Sequence, residues 1–319
     1  MRWFEQLYRL YGERDIPLFH EWVYTDILVD ITASGECISA VMRRERSLIP
    51  VTEVSANRTV NIAPHPLCDT IQNLTEPKHK AAYSGYLREW AGSQSSDERL
   101  AAVLKYVERG TLTSDLAAHG IQPQSGSMVS FSVDGERLCG DRRIIDSHIE
   151  FTRSLPSEMG ICCVSGEYTA LCRLHPKRIT SPSSSAKLIS KRERERLCFG
   201  GIFHSADEAF PVGREVSFKA HAVLKRLVSE GAVRLQQWTF IAFDERGNSL
   251  PLPIFGNTAA PVGSVTILGL CEATKGRLSV TFCKRSSEKS YLSALAMPHS
   301  PLPERYSGVY YERLLNRIL

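Results

Sequence analysis

The chain has 319 residues, a formal net charge of +4 and 43% hydrophobic residues. This hydrophobic fraction is typical of a folded globular protein and excludes a disordered one. No run approaches the roughly 20 apolar residues of a membrane helix, so no membrane partner is expected. The first residues are charged and amphipathic, which argues against a secretory signal peptide. Collagen-like, coiled-coil and disulfide-scaffold classes are excluded as well.

The nine cysteines form no CxxC pair. An odd number of thiols without a signal peptide is typical of reduced, mostly buried cysteines in a cytoplasmic protein. We therefore expect a cytoplasmic location and no structural disulfides.

The predicted elements of the first half begin with an amphipathic helix over residues 2–12. A strand over 22–32, a turn at 34–36 and a strand over 37–42 follow, with a further short extended piece at 48–51. Residues 57–80 are polar and contain prolines 64, 66 and 77, so we expect irregular structure there. The remaining pattern predicts, in order, helices over 80–90 and 96–108, a helix start at 113, a strand over 127–133 and a helix over 141–154.

A second region begins near Pro156. The sequence predicts strands over 160–165 and 169–174, then a basic loop over 175–196 and a long amphipathic helix over 214–230. Further strands are predicted over 237–243, 264–270 and 276–284. Strands and helices do not alternate regularly, so we expect an α+β fold with mixed or antiparallel sheets and no doubly wound parallel sheet. We expect three regions, at 1–155, 156–295 and 296–319.

Positive charge is concentrated between Arg173 and Arg196. This stretch contains eight Lys or Arg residues and two acidic residues, Glu193 and Glu195. Such a basic segment can neutralise phosphates and release their counterions. The alternative is a solvated loop that keeps the chain in solution. The candidate phosphate contacts are Lys177, Arg178, Lys187, Lys191 and Arg192.

Residues 68–80 (CDTIQNLTEPKHK) are the second candidate for nucleic-acid contact. Gln72 and Asn73 carry amides that pair with adenine in a groove, and Lys78 and Lys80 suit phosphates. A polar loop of this composition is equally compatible with an uninvolved surface loop.

Catalytic and metal motifs are weak in this sequence. GxSxG, HExxH, P-loop and GxGxxG patterns are missing. His65 and Asp69 could form a metal or acid–base pair, but the prolines beside His65 favour a simple loop. Cys163, Cys172 and His175 offer three zinc ligands without the usual close pairing, so core packing is the favoured alternative. We expect no catalytic residue, no metal and no cofactor.

Several short segments, in order along the chain, resemble one CRISPR family, the large subunit of the type I-C Cascade (the Csd family). The resemblance spans about residues 1–295. Its second half is carried by 160–167 (GICCVSGE), 174–177 (LHPK), 186–190 (AKLIS), 217–224 (SFKAHAVL), the strand around Trp238, 267–270 (ILGL) and 276–280 (GRLSV). Its first half is carried by 49–51 (IPV), 57–58 (NR), 65–69 (HPLCD) and 86–87 (YL).

The resemblance implies a non-catalytic subunit of a prokaryotic guide-RNA surveillance complex for antiviral defence. Its partners would be the other type I-C Cascade subunits and the CRISPR guide RNA, double-stranded target DNA, and the helicase–nuclease of the system. The subunit would recognise the protospacer-adjacent motif in duplex DNA, help to open it, hold the displaced strand and help to dock the helicase–nuclease. Base pairing would read most of the target sequence.

The family continues into a helical C-terminal region that resembles the small subunit. Here residues 310–319 resemble the first helix of that region. The resemblance therefore implies either a truncated form or a helical part supplied by a separate small subunit.

Two other classes remain open at this point. One is a free-standing metal-dependent nuclease or phosphodiesterase, against which the missing metal motif argues. The other is an inhibitor or scaffold that mimics the large subunit without touching DNA, against which the basic segment argues.

Overall fold

The structure is a computed structural model, and contacts between residues divide the chain into two compact units. One, here called the first unit, comprises residues 16–157, and the second unit comprises residues 1–15 with 158–319. The N-terminal segment thus packs with the C-terminal half, although the sequence order places it within 1–155. The structure describes residues 2–58, 62–181, 183–190, 203, 209–252, 261–274, 276–296, 311–313 and 315–316.

A mixed sheet forms the centre of the first unit, with strand order β2-β1-β4-β3 and β5 paired with β4. β1 and β2 are a long antiparallel hairpin, whereas β4 runs parallel to β1. The strands are β1 (His20–Ile31), β2 (Cys37–Pro50), β3 (Asp69–Thr70), β4 (Met128–Val133) and β5 (Glu136–Arg137). The extended piece predicted at 48–51 is largely the end of β2, so the hairpin is longer than its sequence pattern indicates.

Six helices are seen among the described residues of the first unit. They are α2 (Glu53–Asn57), α3 (Ile71–Thr75), α4 (Pro77–Ala91), α5 (Glu98–Arg109), α6 (Leu112–Ala118) and α7 (Arg142–Ser154). In α5, the Asp97 side chain caps the N-terminus and Gly110 ends the helix in the left-handed conformation, at φ +74°. The apolar side chains of these helices and of β1 and β4 share one core.

The prediction of irregular structure over 57–80 is wrong for its second half, where α3 and the start of α4 lie. Pro77, which the sequence pattern marks as a breaker, occupies the first turn of α4, where proline needs no backbone hydrogen bond.

The second unit holds a two-stranded hairpin and a larger antiparallel sheet of order β10-β9-β11-β12, with β8 paired to β9. The described residues of this unit include the helices α1 (Arg2–Arg9), α8 (Arg214–Gly231) and α9 (Glu288–Ala296). Its strands are β6 (Met159–Ile161), β7 (Tyr168–Ala170), β8 (Val233–Leu235), β9 (Trp238–Phe243), β10 (Ser249–Leu250), β11 (Val265–Thr274) and β12 (Arg277–Ser286). With the mixed sheet of the first unit, this confirms the predicted α+β fold.

Helix α1 packs on α8, so the beginning of the chain completes a core made mainly of residues after 160. Phe4 and Leu7 are buried there. Arg226 Nε of α8 also donates to Asp15 Oδ1 at 2.7 Å, and both side chains are almost fully buried.

Of the region 296–319, the structure describes residues 296, 311–313 and 315–316, and the rest of the predicted C-terminal helix lies outside the described residues. Tyr311 and Leu315 belong to a core cluster with Phe240, whose ring centroid is 4.8 Å from that of Tyr311. Among the described helices, none has the length and apolar character required to cross a bilayer.

Candidate nucleic-acid interface

A buried carboxylate, Asp69, organises the segment that carries the first group of predicted contacts. Arg58 Nη1 and Nη2 donate to Asp69 Oδ2 and Oδ1 at 2.6 and 2.7 Å. The backbone N–H of His65 and the Asn73 side-chain amide donate to the same carboxylate at 2.5 and 2.8 Å. We call Arg58, His65, Asp69 and Asn73 the Asp69 cluster. It ties the chain before β3 to helix α3.

The Asp69 cluster keeps its carboxylate ionised. Burial by itself favours the neutral acid, but the hydrogen bonds and charge of Arg58, the charge of His65 and the Asn73 amide outweigh it. The net result is a pKa of Asp69 below its ordinary value. His65 Nδ1 also lies 2.9 Å from Ser55 Oγ, which extends the network to α2. His65 and Asp69 thus have a structural role rather than the catalytic one considered above.

The structure places Gln72 and Asn73 in the helix α3, not in a loop, and it separates their environments. Gln72 is exposed, and its Nε2 donates to Glu76 Oε1 at 3.1 Å on the surface. Asn73 is buried; its Nδ2 donates to Asp69 and its Oδ1 accepts from His79 Nδ1 at 2.5 Å. Both ends of the Asn73 amide are occupied, so this residue holds the segment in place.

Lys78 and Lys80 lie in the first turn of α4. Lys78 is exposed. Lys80 is half-buried, and its Nζ donates to the Glu108 carbonyl oxygen at 3.2 Å near the end of α5. Gln72 and Lys78 are therefore the two predicted contacts of this segment with exposed side chains.

The basic segment is only partly described, because Lys191 and Arg192 lie outside the described residues. Lys177 is buried, although the sequence predicts a phosphate contact there. Arg178 is exposed and adopts a left-handed backbone at φ +60°. Lys187 is half-buried, forms isolated bridges with Lys177 and Arg277, and donates its backbone N–H to Gly276. Arg178 and Lys187 are the predicted phosphate contacts that reach solvent in this part.

The three potential zinc ligands differ in environment. Cys163 is exposed, whereas Cys172 is buried. His175 is buried and its Nδ1 lies 2.8 Å from Ser217 Oγ. Among the described residues, no group of three or more His, Cys, Asp and Glu side chains is arranged to hold a metal ion.

Sequence reasoning missed two features of the first unit. One is the role of Arg58, which a buried Asp69 requires as a counter-charge. The other is an exposed row on the β1–β2 hairpin, formed by Trp22, Tyr24, Arg44 and Arg46. The sequence signal for this row is the spacing of two residues between Trp22 and Tyr24 and between Arg44 and Arg46. This spacing places each pair on one face of its strand.

A comparison with protein families decides the identity of the chain. The profile of a CRISPR-associated protein family, Cas_Csd1, matches residues 5–300. The chain belongs to the Cas_Csd1 family. Cas_Csd1 proteins are large subunits of the type I-C Cascade, so the resemblance seen in the sequence is confirmed, and with it a place beside other Cas subunits. No curated protein matches the chain.

Proposed function

We propose that this Cas_Csd1 protein is the non-catalytic, DNA-reading large subunit of a prokaryotic, cytoplasmic type I-C complex. It recognises the protospacer-adjacent motif in double-stranded DNA, assists unwinding and R-loop formation, and contributes to the docking surface for the helicase–nuclease. Its partners are the other Cascade subunits with the guide RNA, and a separate small subunit where one exists. The family match supports the Cascade role, and the surface around Gln72 supports the DNA-reading role.

The observation that supports the motif-reading proposal is that Gln72 is exposed on α3, a helix held in place by the hydrogen bond from Asn73 to the buried Asp69. A side chain that reads a base edge must be held in register, and hydrogen bonds from supporting residues provide this. The Asp69 cluster holds α3 through the buried Asn73, whereas the Gln72 amide lies at the surface. A glutamine amide pairs bidentately with adenine N6 and N7 in the major groove.

Positive charge on the same segment supports contact with the phosphate backbone of the DNA. Lys78 is exposed six residues after Gln72, at the start of the next helix, α4, and Lys80 is partly exposed. Phosphate contacts of this kind fix the register of a protein on the duplex without reading sequence. In our proposal Asn73 positions the segment through Asp69 and His79, and Gln72 is the side chain that meets a base.

The basic segment of the second unit supplies a separate group of proposed DNA contacts. Arg178 and Lys187 reach solvent, and Lys191 and Arg192 add charge to the same stretch of sequence. These four residues would contact phosphates of the duplex or of the displaced strand, whatever its sequence. Lys177 is buried, and we assign it a structural role.

The test is duplex binding by the assembled complex, with targets that carry either the correct or a scrambled adjacent motif. We expect Gln72→Ala to remove most of the discrimination between the two targets, and Lys78→Ala to weaken both equally. Gln94→Ala, which removes an exposed glutamine elsewhere in the first unit, is the matched control. Unchanged discrimination in Gln72→Ala would rule out the assigned motif reader. Cleavage of labelled DNA with Mg²⁺ or Mn²⁺ by the purified chain would contradict the non-catalytic role.

A further inference from the structure

The outer face of the β1–β2 hairpin carries two aromatic rings that the core does not use. Trp22 is 44% exposed and Tyr24 is 59% exposed, whereas large aromatic side chains usually bury most of their surface. They are two residues apart on β1, so their side chains lie on the same side, about 7 Å apart along the strand. This spacing is about twice the rise of a stacked nucleotide.

Two arginines of β2 lie over these rings. Arg46 is directly opposite Tyr24 in the hairpin register, and its Cζ lies 4.8 Å from the centroid of the Trp22 ring. The Cζ of Arg44 lies 5.3 Å from the centroid of the Tyr24 ring. The four side chains therefore form two guanidinium–ring pairs, Arg46 with Trp22 and Arg44 with Tyr24. We call them the stacking row.

A β-bulge sits beside the stacking row. Thr25 pairs with Glu45 and Ile27 pairs with Met42, so Arg43 and Arg44 together lie opposite the single residue Asp26. Bulges redirect side chains and are frequent next to functional sites. Here the bulge lies at the end of the row that Arg44 occupies.

The ion pairs of the described residues leave out the two arginines of the stacking row. Within the described residues, the ion pairs of this part of β2 join Glu45 to Arg43 and Arg137, at 3.0 and 2.7 Å. Neither Arg44 nor Arg46 takes part in an ion pair among those residues. A guanidinium that stacks by its flat face keeps its N–H edge available, and that edge matches a phosphate.

We propose that Trp22, Tyr24, Arg44 and Arg46 form a binding site for single-stranded nucleic acid. Bases stack on the rings and on the guanidinium planes, and the arginine N–H groups hold the phosphates. Aromatic stacking beside positive charge is the common basis of sequence-tolerant single-strand binding. The site deepens the proposed function and rests on it, since both need a chain that binds nucleic acid, but it uses different residues from those around Gln72.

Two single strands share this chemistry, the guide RNA and the displaced DNA strand, and the experiment separates them. The full-length chain is titrated with labelled oligo-dT and oligo-U of about 15 nucleotides, and with a duplex of similar length, at two salt concentrations. We expect Trp22→Ala and Tyr24→Ala each to weaken single-strand binding about 5- to 150-fold, with little effect on the duplex. A loss confined to oligo-U identifies the RNA, and a loss confined to oligo-dT identifies the DNA strand.

Arginine substitutions distinguish stacking from charge alone. Arg46→Lys keeps the charge but lacks the planar group, so we expect weaker binding with an unchanged salt dependence. Arg46→Gln lowers both the affinity and the salt dependence. Tyr168→Ala, which removes a 70% exposed tyrosine from the second unit, is the matched control and leaves binding unchanged.

Two results would overturn the proposal: no oligonucleotide binding by the wild-type chain, or equal binding by the wild type and the ring variants. In the second case, the ring variants are also tested for co-purification with other Cascade subunits, and they could fail to co-purify. Loss of co-purification with normal oligonucleotide binding would assign the stacking row to a protein interface. Gln72→Ala serves as the reference in every titration. If it leaves motif discrimination intact while the ring variants lose oligonucleotide binding, the motif-reading proposal fails and the stacking row stands.

Discussion

Arg58 and Asp69 form a two-point ion pair in which the carboxylate has no solvent exposure and the guanidinium side chain is 21% exposed. Such a pair is expensive to break from one side, because the remaining charge stays buried. The Arg58–Asp69 pair therefore stabilises the position of α3, on whose surface Gln72 lies.

We expect Arg58→Ala to lower the free energy of unfolding by about 3–5 kcal/mol, as for other buried pairs that lose one partner. Urea unfolding followed by circular dichroism measures this. The matched control is Arg88→Ala, which removes an exposed ion pair with Glu108 and should cost about 1 kcal/mol or less. Similar losses in the two variants would contradict the structural role of the Asp69 cluster.

Stability should fall with acidity through two histidines of the first-unit core, His20 and His148, whose ring centroids are 5.3 Å apart. Burial lowers the pKa of His20 to about 4, although the Leu18 carbonyl and Asp146 oppose this shift. Burial, and then the neighbouring His20, lower the pKa of His148 well below its ordinary value. The unfolded chain binds protons below about pH 6.5, and the folded core does not. Stability is therefore complete above that pH and decreases as the pH falls towards about 4.

Each of these histidines contributes a slope of up to about 1.4 kcal/mol per pH unit. Urea midpoints at several values between about pH 7 and pH 5 test this, a range in which most carboxylates stay ionised. His148→Gln should flatten the slope, whereas His119→Gln, which alters an exposed histidine, should not. If His148→Gln does not fold, His20→Gln provides the same test. An unchanged slope in the variant that folds would contradict the prediction.

A side chain at Gly35 should destabilise the hairpin turn. This residue has φ +78°, and an added Cβ would lie 2.9 Å from the Ala102 carbonyl oxygen and 2.9 Å from Lys105 Cβ. Gly120 has a similar φ of +72° but open space around it. Gly120→Ala should cost roughly 1–2 kcal/mol for the left-handed backbone alone. Gly35→Ala should cost about 1–3 kcal/mol more, because the contact with α5 must shift. Equal losses in thermal or urea unfolding would show that the turn does not press on α5.

Neutralising the basic segment should weaken binding to all duplexes alike. For Arg178→Gln, Lys187→Gln, Lys191→Gln and Arg192→Gln we expect the slope of log affinity against log salt to decrease by about one for each phosphate that is no longer neutralised. Lys177→Gln is the internal comparison; since Lys177 is buried, it should lower stability and leave the salt slope unchanged. A loss confined to targets with the correct motif would contradict the phosphate role.

Local pattern was enough to predict the elements whose apolar residues repeat regularly. The stripe of α8 predicted a helix over 214–230, and the structure has Arg214–Gly231. The strand predicted over 237–243 is similarly close to β9. In α8 the buried side follows directly from the period of the sequence. β9 is buried along its whole length, so its sequence signal is a short apolar run rather than an alternation.

The segment around Asp69 could not be predicted in the same way. Its prolines and polar residues indicate irregular structure, but a buried carboxylate and its donors organise it. That arrangement depends on Arg58, eleven residues away, and on which end of the Asn73 amide points inward. The stacking row needed the pairing register, because Arg46 lies beside Trp22 and Tyr24 only once the hairpin is aligned.

Helix α1 has a consequence for synthesis on the ribosome. Of the described elements it is the first to emerge, but its packing partner α8 begins about 205 residues after α1 ends. At typical elongation rates this interval is roughly 10–40 s. During that time Phe4 and Leu7 lack the core that covers them. Phe4 and Leu7 are thus made well before the helix that buries them, so a bulky N-terminal fusion would act on the folding of the C-terminal half.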